Sequence, residues 1–338
     1  MGKIVIAVDA AGGDYAPAVP VEGCMEALKR NSDIELVLYG NEAAVRAELQ
    51  KYTYDADRVS VVDCTEQIAM AEPPVAAIRK KKDSSIVKGM TSVRRGEANA
   101  FISSGSTGAV LAGGHLIVGR LKGVERPPLG VLIPTEKGTS LLIDCGANVD
   151  ARPSWLVQFA EIGTIYYGTT FGKERPTVAI VNIGAEEEKG NALVKETFPL
   201  LKENENINFI GSIEARDISA GQADIIVCDA FVGNVILKGY EGVASSLLRI
   251  VKNSLMSDLR SKVGGLLVKP ALKRALKDFD MSRYGGAPLL GLKGLVVKAH
   301  GSATAAEIAN AIDQCRDFYI KDINGKIAER ILPEGQGA

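Results

Sequence analysis

FISSGSTGAVLAGG, residues 101–114, places a strand, a turn and a helix start within one short stretch. Phe101-Ile102-Ser103 predicts the end of a buried strand, and Ala109-Val110-Leu111 begins an apolar helix after the intervening turn. A turn of glycines and hydroxyls at the start of a helix leaves backbone N–H groups unpaired. Those groups and the positive end of the helix dipole favour an anion, and phosphate above all. We therefore predict an anion-binding loop from Ser104 to Gly108.

The same order of strand, small polar loop and helix recurs along the chain. Short β-branched runs that end in Gly, Asp, Asn or Ser predict strands at 4–8, 34–39, 59–62, 100–103, 129–133, 141–144, 178–183, 208–211, 225–228 and 295–299. Helical periodicity predicts helices at 17–30, 42–51, 84–95, 107–120, 154–167, 191–201, 234–254 and 304–319. Strands that alternate with helices favour a mostly parallel sheet covered on both faces, which is a three-layer α/β/α sandwich.

We expect residues 1–338 to form a single compact α/β/α domain, because no linker or low-complexity tract interrupts the alternation. In sheets of this kind, ligands bind beyond the carboxyl ends of the strands. The loops at those ends are therefore expected to build one composite site.

The composition argues against several classes of protein. The 40 basic and 41 acidic residues give a formal net charge of −1, whereas nucleic-acid-binding proteins are usually basic, so we expect no nucleic acid. The five cysteines form no C-x-x-C pair and there are only two histidines, so we expect no metal site. Scattered cysteines are typical of reduced thiols in a cytoplasmic protein. The apolar run at 4–8 is too short for a signal peptide or a membrane span.

The loop after the first predicted strand is rich in glycine and carboxylates. Asp9 and Asp14 flank Gly12-Gly13, directly before a helix that Pro17 begins. The glycines permit close approach of the backbone to a ligand, which makes Asp9, Gly12 and Gly13 candidate substrate contacts. Helix capping and turn formation explain the two carboxylates equally well.

A second polar loop follows the predicted strand at 141–144. Asp144 and Asn148 are candidate substrate contacts there, or alternatively they only order the turn. Cys145 and Cys228 lie at predicted strand ends and are formal nucleophiles. Neither has a histidine partner evident in the sequence, and small buried cysteines are common.

Three further side chains suit acyl-transfer chemistry. Lys189 can neutralise a bound phosphate, or it pairs with a neighbouring glutamate as a solvated charge. Asn234 either caps the long helix that follows it or points its amide at a carbonyl oxygen. His300, followed by a glycine and a helix-capping serine, is well placed for general acid–base catalysis. His115 lies inside the apolar helix, and we expect it to be a packed core residue.

Residues 253–283 depart from the alternation, because they contain no strand signal and mix apolar with cationic side chains. Gly264-Gly265 and Pro270 are expected to break this helical excursion into short pieces. The side chains that we single out are Leu266, Leu267, Lys269 and Lys273. The segment suits a dimer arm, a membrane-surface helix or a docking site for an acidic partner. Alternatively it is a helical hairpin that packs on its own core or on its twin.

These stretches, in this order along the chain, resemble the PlsX family of bacterial acyl-ACP:phosphate acyltransferases. The resemblance extends from residue 4 to about residue 319 and depends on the ordered set of motifs. Those motifs are 9–14 with Ala16-Pro17, 72–75, 79–82, 103–109, 118–123, 144–150, 189–191, 208–211, 233–234, 284–287 and 298–302. The family usually has Asn where Ser106 stands and lacks Cys145 and Cys228, which argues against a Cys-linked acyl intermediate.

The resemblance implies the α/β/α fold shared with phosphate acetyltransferases and with isocitrate- or isopropylmalate-dehydrogenase-like enzymes. It implies that inorganic phosphate attacks the thioester of a fatty acyl-ACP, giving acyl-phosphate and free ACP for phospholipid synthesis. It also implies a homodimer, and we expect no cofactor. A membrane acyltransferase consumes the acyl-phosphate, so the resemblance implies a cytoplasmic enzyme in peripheral contact with the membrane or with a membrane glycerol-phosphate acyltransferase.

Phosphate is itself the nucleophile in such a reaction, so the protein must hold an anion beside a thioester carbonyl and stabilise the oxyanion that forms. Lys189 then offsets the charge of phosphate. Asn234 and His300 donate to the carbonyl oxygen, or His300 protonates the departing thiolate. The candidate phosphate or substrate contacts are Asp9, Gly12, Gly13, Ser104, Gly105, Ser106, Thr107, Gly108, Asp144 and Asn148.

ACP is acidic, and the densest basic run of the chain is the candidate to bind it. That run is Arg79, Lys80, Lys81 and Lys82, and its alternative interpretation is a solvated helix face. Two other functions compete with the family's reaction: a phosphotransacetylase-like enzyme that acts on acyl-CoA, and a non-catalytic scaffold that binds ACP and membrane. A nicotinamide dehydrogenase is disfavoured, because no G-x-G-x-x-G follows the first strand.

Overall fold

The computed structural model describes residues 3–276 and 284–331. Its strands are β1 Ile4–Asp9, β2 Ile34–Gly40, β3 Val59–Asp63, β4 Ala100–Ser103, β5 Gly130–Thr135, β6 Gly138–Ile143, β7 Thr177–Asn182, β8 Asn208–Glu214, β9 Ile225–Val227, β10 Ala287–Leu289 and β11 Leu295–Lys298. Its α-helices are α1 Ala18–Arg30, α2 Glu42–Leu49, α3 Pro74–Lys80, α4 Ser85–Arg94, α5 Thr107–Gly113, α6 Pro153–Phe171, α7 Ala192–Glu203, α8 Ala230–Leu255, α9 Leu259–Leu276, α10 Ala305–Ile320 and α11 Ile323–Ile331.

The chain divides into two compact units. The described part of unit 1 comprises residues 3–131, 161–175 and 284–331, and that of unit 2 comprises 132–160 and 176–276. The strands form two sheets rather than the one expected from the sequence. Alternation along a chain predicts the strands but not which of them pair, since pairing depends on contacts between distant segments. That the chain behaves as a single domain stays a prediction.

Unit 1 contains a six-stranded sheet in the order β10-β11-β4-β1-β2-β3. All neighbouring pairs are parallel except β10 with β11. Every residue of β4 is buried, and so are five of the six residues of β1. Strands buried along both faces are the mark of a parallel sheet between two helical layers.

The helices of unit 1 approach closely where glycine replaces a larger side chain. A Cβ on Gly23 of α1 would lie 2.6 Å from Ile308 Cβ of α10. A Cβ on Gly89 of α4 would lie 2.4 Å from the ring of Phe101 in β4. These positions let helices pack directly on one another and on the sheet.

Unit 2 contains the second sheet, in the order β5-β6-β9-β7-β8. The pairs β6–β9, β9–β7 and β7–β8 are parallel, and every residue of β9 is buried. Both sheets are thus mostly parallel and flanked by helices, which confirms the α/β fold class. Among the described residues, no helix has both the length and the apolar character needed to cross a membrane.

The described part of the excursion predicted at 253–283 contains the last three residues of α8 and one long helix, α9, and residues 277–283 lie outside the described part. α9 continues through Gly264-Gly265 and Pro270, so the predicted break into short pieces is wrong. A Cβ on Gly265 would lie 3.3 Å from Leu255 Cβ, so this glycine serves close packing of α9 against the end of α8. Leu266, Leu267, Lys269 and Lys273 are all exposed.

Other elements also differ from the sequence-based expectation, among them α11, which the sequence pattern does not predict. The α-helix at α5 ends at Gly113 and passes into a π-helical turn, Gly114–Val118. α3 begins at Pro74, where proline suits a first helical turn, yet the sequence analysis predicts no helix there. β10 contains Pro288 and is only three residues long, so it lacks the β-branched pattern that identifies the other strands.

Candidate functional site

Three strand ends meet at one edge of the sheet in unit 1. β4 lies between β1 and β11, with Ile102 opposite Val8 and Ser103 opposite Lys298. The loops that follow are joined by a hydrogen bond of 2.8 Å from the Asp14 N–H to the Gly301 carbonyl oxygen. The structure therefore brings together the candidates of unit 1 from the first strand, the Ser104–Gly108 turn and the His300 loop.

Asp9 anchors this edge from inside. The carboxylate is buried and accepts a 2.6 Å hydrogen bond from Ser103 Oγ and one of 3.1 Å from the Ala11 N–H. Burial raises the pKa of Asp9, while hydrogen bonds from Ser103 and Ser85 oppose that shift. The Asp9 carboxylate therefore orders the turn, as one of the two sequence-based interpretations predicts.

Ser103 connects Asp9 to the turn, although no pattern in the sequence identifies it as a functional residue. Its Oγ accepts a 3.0 Å hydrogen bond from the Gly105 N–H while donating to Asp9. The Gly105 N–H thus already donates a hydrogen bond within the protein, so it is removed from the set of loop N–H groups predicted to bind an anion. The only signal in the sequence is a hydroxyl at the last position of an otherwise apolar strand.

Glycine is required at two positions of the first loop. A Cβ on Gly12 would lie 2.3 Å from Asp9 Oδ2 and 2.7 Å from the Gly105 nitrogen. Gly13 has φ +97°, and a Cβ there would lie 2.9 Å from Ser104 Cβ. Both glycines therefore let the loop after β1 pass directly over the turn after β4.

The serines of the turn have different surroundings. Ser106 is the N-cap of α5, and its Oγ accepts a 3.5 Å contact from the Ala109 N–H. Ser104 is buried, and its Oγ has no hydrogen-bond partner among the described residues. Thr107 and Gly108 are the first two residues of α5, where backbone N–H groups have no intrahelical acceptor.

His300 is exposed at the same edge. Its Nδ1 lies 2.9 Å from Ser302 Oγ and accepts a 3.3 Å hydrogen bond from the Ser302 N–H. An N–H that donates to Nδ1 leaves the proton of the neutral ring on Nε2. The ring is therefore oriented by Ser302, and Nε2 is a donor.

The basic run spans the end of α3 and the two residues that follow it, and α3 packs against α5. A Cβ on Gly108 would lie 2.6 Å from Pro74 Cγ, so the start of α3 contacts the start of α5. Arg79, Lys80 and Lys82 are exposed, whereas Lys81 is half-buried. Its Nζ lies 2.6 Å from Glu72 Oε1, and this pairing lowers the pKa of Glu72. Lys81 is therefore held by Glu72, unlike its three neighbours.

In unit 2 the loop after β6 is built around Asp144, which is fully buried. Its Oδ1 accepts 3.0 Å hydrogen bonds from the N–H groups of Gly146 and Ala147. Its Oδ2 accepts bonds of 2.9 and 2.7 Å from the Asn148 N–H and side-chain amide. Both residues therefore order the turn, as one of the two sequence-based interpretations predicts, and the carboxylate is largely occupied by its own loop.

Asn234 lies in the second turn of α8 and is exposed, so the prediction that it caps this helix is wrong. Asp229 caps α8 instead, because its Oδ1 accepts from the N–H groups of Phe231 and Val232 at 2.9 and 3.0 Å. A Cβ on Gly233 would lie 1.9 Å from the Asp144 carbonyl oxygen. That contact holds the first turn of α8 against the Asp144 loop.

Lys189 is exposed and lies 3.0 Å from the Glu186 carboxylate, which is the pairing that the sequence offers as an alternative. The Lys189 carbonyl accepts a 3.2 Å hydrogen bond from the Asn182 side chain. The loop after β7 is thus fixed to the strand end while the ammonium group remains at the surface.

The remaining candidates are poorly suited to catalysis. All five cysteines are buried free thiols, and burial raises the pKa of Cys228 well above its ordinary value. His115 is half-buried in the π-helical turn rather than fully packed. Burial and the nearby Arg120 and Arg126 lower its pKa. Within residues 3–276 and 284–331, no group of three or more His, Cys, Asp or Glu side chains is arranged to hold a metal ion.

The surroundings of Asp9 lead to a pH-dependent prediction. Its folded-state pKa lies above the ordinary value of 3.8, so its contribution to stability is complete below that pH and is lost as pH rises through the folded-state pKa. Asp9→Asn has no such titration. We therefore compare the free energies of unfolding of the variant and the wild type by urea denaturation at a series of pH values. Between pH 3.8 and the folded-state pKa of Asp9, the value for the variant minus that for the wild type should rise with pH, and above that pKa it should stay constant.

Ser103→Ala provides the matched comparison for Asp9→Asn. It removes a hydrogen bond that lowers the pKa of Asp9 in the folded protein, so the upper end of the window should move to higher pH, while the lower end, set by the unfolded chain, stays at the ordinary value. A difference between Asp9→Asn and wild type that is constant with pH would contradict this account of Asp9.

Comparisons with known proteins agree on one family. A family described as "Fatty acid synthesis protein" matches residues 4–326. A phosphate acyltransferase from Clostridium perfringens is 49% identical over 326 residues, which is 96% of each protein.

Solved structures with similar folds are far less similar in sequence. A phosphotransacetylase from Streptococcus pyogenes has a TM-score of 0.60 at 18% identity and covers 94% of each chain. A putative 4-hydroxythreonine-4-phosphate dehydrogenase from Salmonella typhimurium has a TM-score of 0.50 at 12% identity, covering 94% of this chain and 99% of that one. These likenesses bear on the fold alone and agree with the dehydrogenase-like α/β architecture. By its sequence, the chain belongs to the fatty acid synthesis protein family, which is the family that its ordered strand-end motifs resemble.

Proposed function

We propose that the chain transfers a fatty acyl group from an acyl-ACP thioester to inorganic phosphate, giving acyl-phosphate and free ACP for phospholipid synthesis. Family membership is the main support for the proposal, because the match to the phosphate acyltransferase from Clostridium perfringens covers 96% of each protein. The strand-end edge of unit 1 also supports the proposal. There the turn Ser104–Gly108 precedes α5, Gly12 and Gly13 pass directly over it, and the exposed His300 lies at the same edge.

In the proposed reaction a phosphate oxygen attacks the thioester carbonyl carbon and forms a new C–O bond. The carbonyl becomes a tetrahedral oxyanion, which collapses as the C–S bond breaks and the thiolate takes up a proton. The N–H groups of Thr107 and Gly108 offer donors to an anion. His300 Nε2 donates to the oxyanion or gives its proton to the thiolate.

The catalytic roles of Lys189 and Asn234 stay predictions. Both side chains are exposed in unit 2, each next to a strand end. In the proposed reaction, the ammonium group of Lys189 neutralises phosphate and the amide of Asn234 donates to the carbonyl oxygen.

A second candidate function is acyl transfer from acyl-CoA, which the fold likeness to phosphotransacetylases favours. The decisive experiment compares acyl-ACP with acyl-CoA of the same chain length, with and without phosphate. We expect phosphate-dependent loss of the thioester from acyl-ACP in preference to acyl-CoA. Equal or greater loss from acyl-CoA would favour the second candidate, and phosphate-independent binding without turnover would indicate a scaffold.

His300→Ala is expected to reduce phosphate-dependent ACP release by roughly 100-fold to 1,000-fold, since loss of one oxyanion donor in acyl transfer costs roughly 3–4 kcal/mol. The fold should survive, because the His300 side chain is exposed. Ser302→Ala is the matched control, which keeps the imidazole but removes the hydroxyl that orients it. Near-normal turnover by His300→Ala would remove this residue from the mechanism.

We further propose that the exposed cations at the end of α3 and directly after it, Arg79, Lys80 and Lys82, capture the acidic carrier protein. Lys80→Glu with Lys82→Glu should raise the KM for acyl-ACP roughly fivefold to tenfold at low salt, with little change in kcat. The increase should shrink at high salt, because exposed charges are screened. Lys29→Glu, an exposed cation at the end of α1, is the control for the change in net charge. An unchanged KM at low salt would leave this face as a solvated surface.

Peripheral membrane contact is proposed for α9, which exposes Leu266 and Leu267 among cations such as Lys269 and Lys273. Helices of this composition bind anionic lipid surfaces. Leu266→Glu with Leu267→Glu should abolish co-sedimentation with phosphatidylglycerol vesicles, whereas Leu200→Glu on α7 should not. Equal co-sedimentation of the wild type, the double variant and Leu200→Glu would exclude this surface.

Light scattering on the same preparations tests the homodimer that the resemblance implies.

A further inference from the structure

Four apolar side chains at the carboxyl-terminal edge of the sheet in unit 2 are exposed. The exposed fractions are 56% for Val149, 79% for Ile183, 63% for Phe231 and 56% for Val235. They follow β6, β7 and β9, whose last residues, Ile143, Asn182 and Val227, are buried. We call these four side chains the apolar rim.

The topology places the rim residues side by side. β9 lies between β6 and β7, with Val227 opposite both Ile143 and Ile180. The loops beyond two of these strands are joined, because the Ala230 N–H donates to the Asn148 carbonyl oxygen at 3.0 Å. Val149 and Phe231 each adjoin one of these bonded residues.

The first turns of α8 add a polar candidate to the same surface. Phe231, Asn234 and Val235 are spaced i, i+3 and i+4, so they share one face of the helix. Asn234 is exposed like its two apolar neighbours. Two rim residues, Phe231 and Val235, therefore flank the side chain to which the proposed function assigns the thioester carbonyl oxygen.

Resting on the proposed function, we propose that the apolar rim binds the fatty acyl chain of the substrate and sets the preference for chain length. The acyl chain is the wholly apolar part of that substrate, whereas phosphate and the acidic side chains of a carrier protein gain nothing from exposed valine, isoleucine and phenylalanine. Exposed apolar patches on a soluble protein mark binding surfaces of this kind. The rim is also continuous with the strand-end edge that carries Asn234.

The test measures kcat/KM along a series of saturated acyl-ACP donors that differ only in chain length. Each methylene buried on the rim should raise kcat/KM roughly fourfold in the wild type. Phe231→Ala and Ile183→Ser should flatten that dependence and leave the KM for phosphate unchanged. Val243→Ser is the matched control, because Val243 is 62% exposed on α8 but lies outside the rim.

Three results would overturn the proposal. The first is an equal loss of activity by the rim variants at every chain length, and the second is an equal flattening of the series by Val243→Ser. The third is a change in the oligomeric mass of the rim variants in light scattering, which would assign the surface to a second copy of the chain. Equilibrium binding of a fluorescent fatty acid to wild type and Phe231→Ala is independent of turnover. Loss of binding in the variant supports the rim even if the wild type shows no phosphate-dependent reaction, which would refute only the proposed function.

Discussion

Parallel strands that are buried on both faces leave room for functional groups only where the strands end. In unit 1 the interiors of β1 and β4 consist of apolar residues packed between helices, and polarity begins at Asp9 and Ser103. The same holds in unit 2, where Asp144 and Asp229 follow β6 and β9. Each unit therefore concentrates its chemistry at one edge of its sheet, and the helices that begin there contribute their unpaired N–H groups.

The strands and the polar loops that follow them could be predicted because both signals are local. A short β-branched run and the Gly, Asp or Ser that ends it lie within a few residues of each other. The partition into two sheets could not be predicted, because it depends on which distant strands pair. The predicted break of α9 into short pieces is wrong for a related reason. Glycine and proline weaken a helix on average, but Gly265 lies where α9 closely approaches Leu255, which only a contact between two helices could reveal.

At the candidate site, the residue types could be predicted but their connections could not. Asp9 stood out as a carboxylate beside glycines, whereas its bond to Ser103 joins residues 94 positions apart in sequence. Asn234 stood out beside a glycine, yet only the structure shows that Asp229 performs the capping. Lys81 could not be distinguished from its basic neighbours, because its pairing with Glu72 requires the turn that precedes α3 to fold back.

Among the described residues, α8 is attached to the sheet and the strand-end loops of unit 2 through its first half. Gly233 packs on the Asp144 carbonyl, and the Tyr240 hydroxyl donates to the Pro134 carbonyl oxygen at 2.6 Å. From Glu241 to Leu255 no residue of the helix is buried, a length of about 22 Å at 1.5 Å per residue. The two anchored positions, Gly233 and Tyr240, both lie in the first half of the helix and on either side of Asn234. Asn234 lies between these two anchored positions, so anything that binds the outer half of α8 acts on Asn234 only through Tyr240.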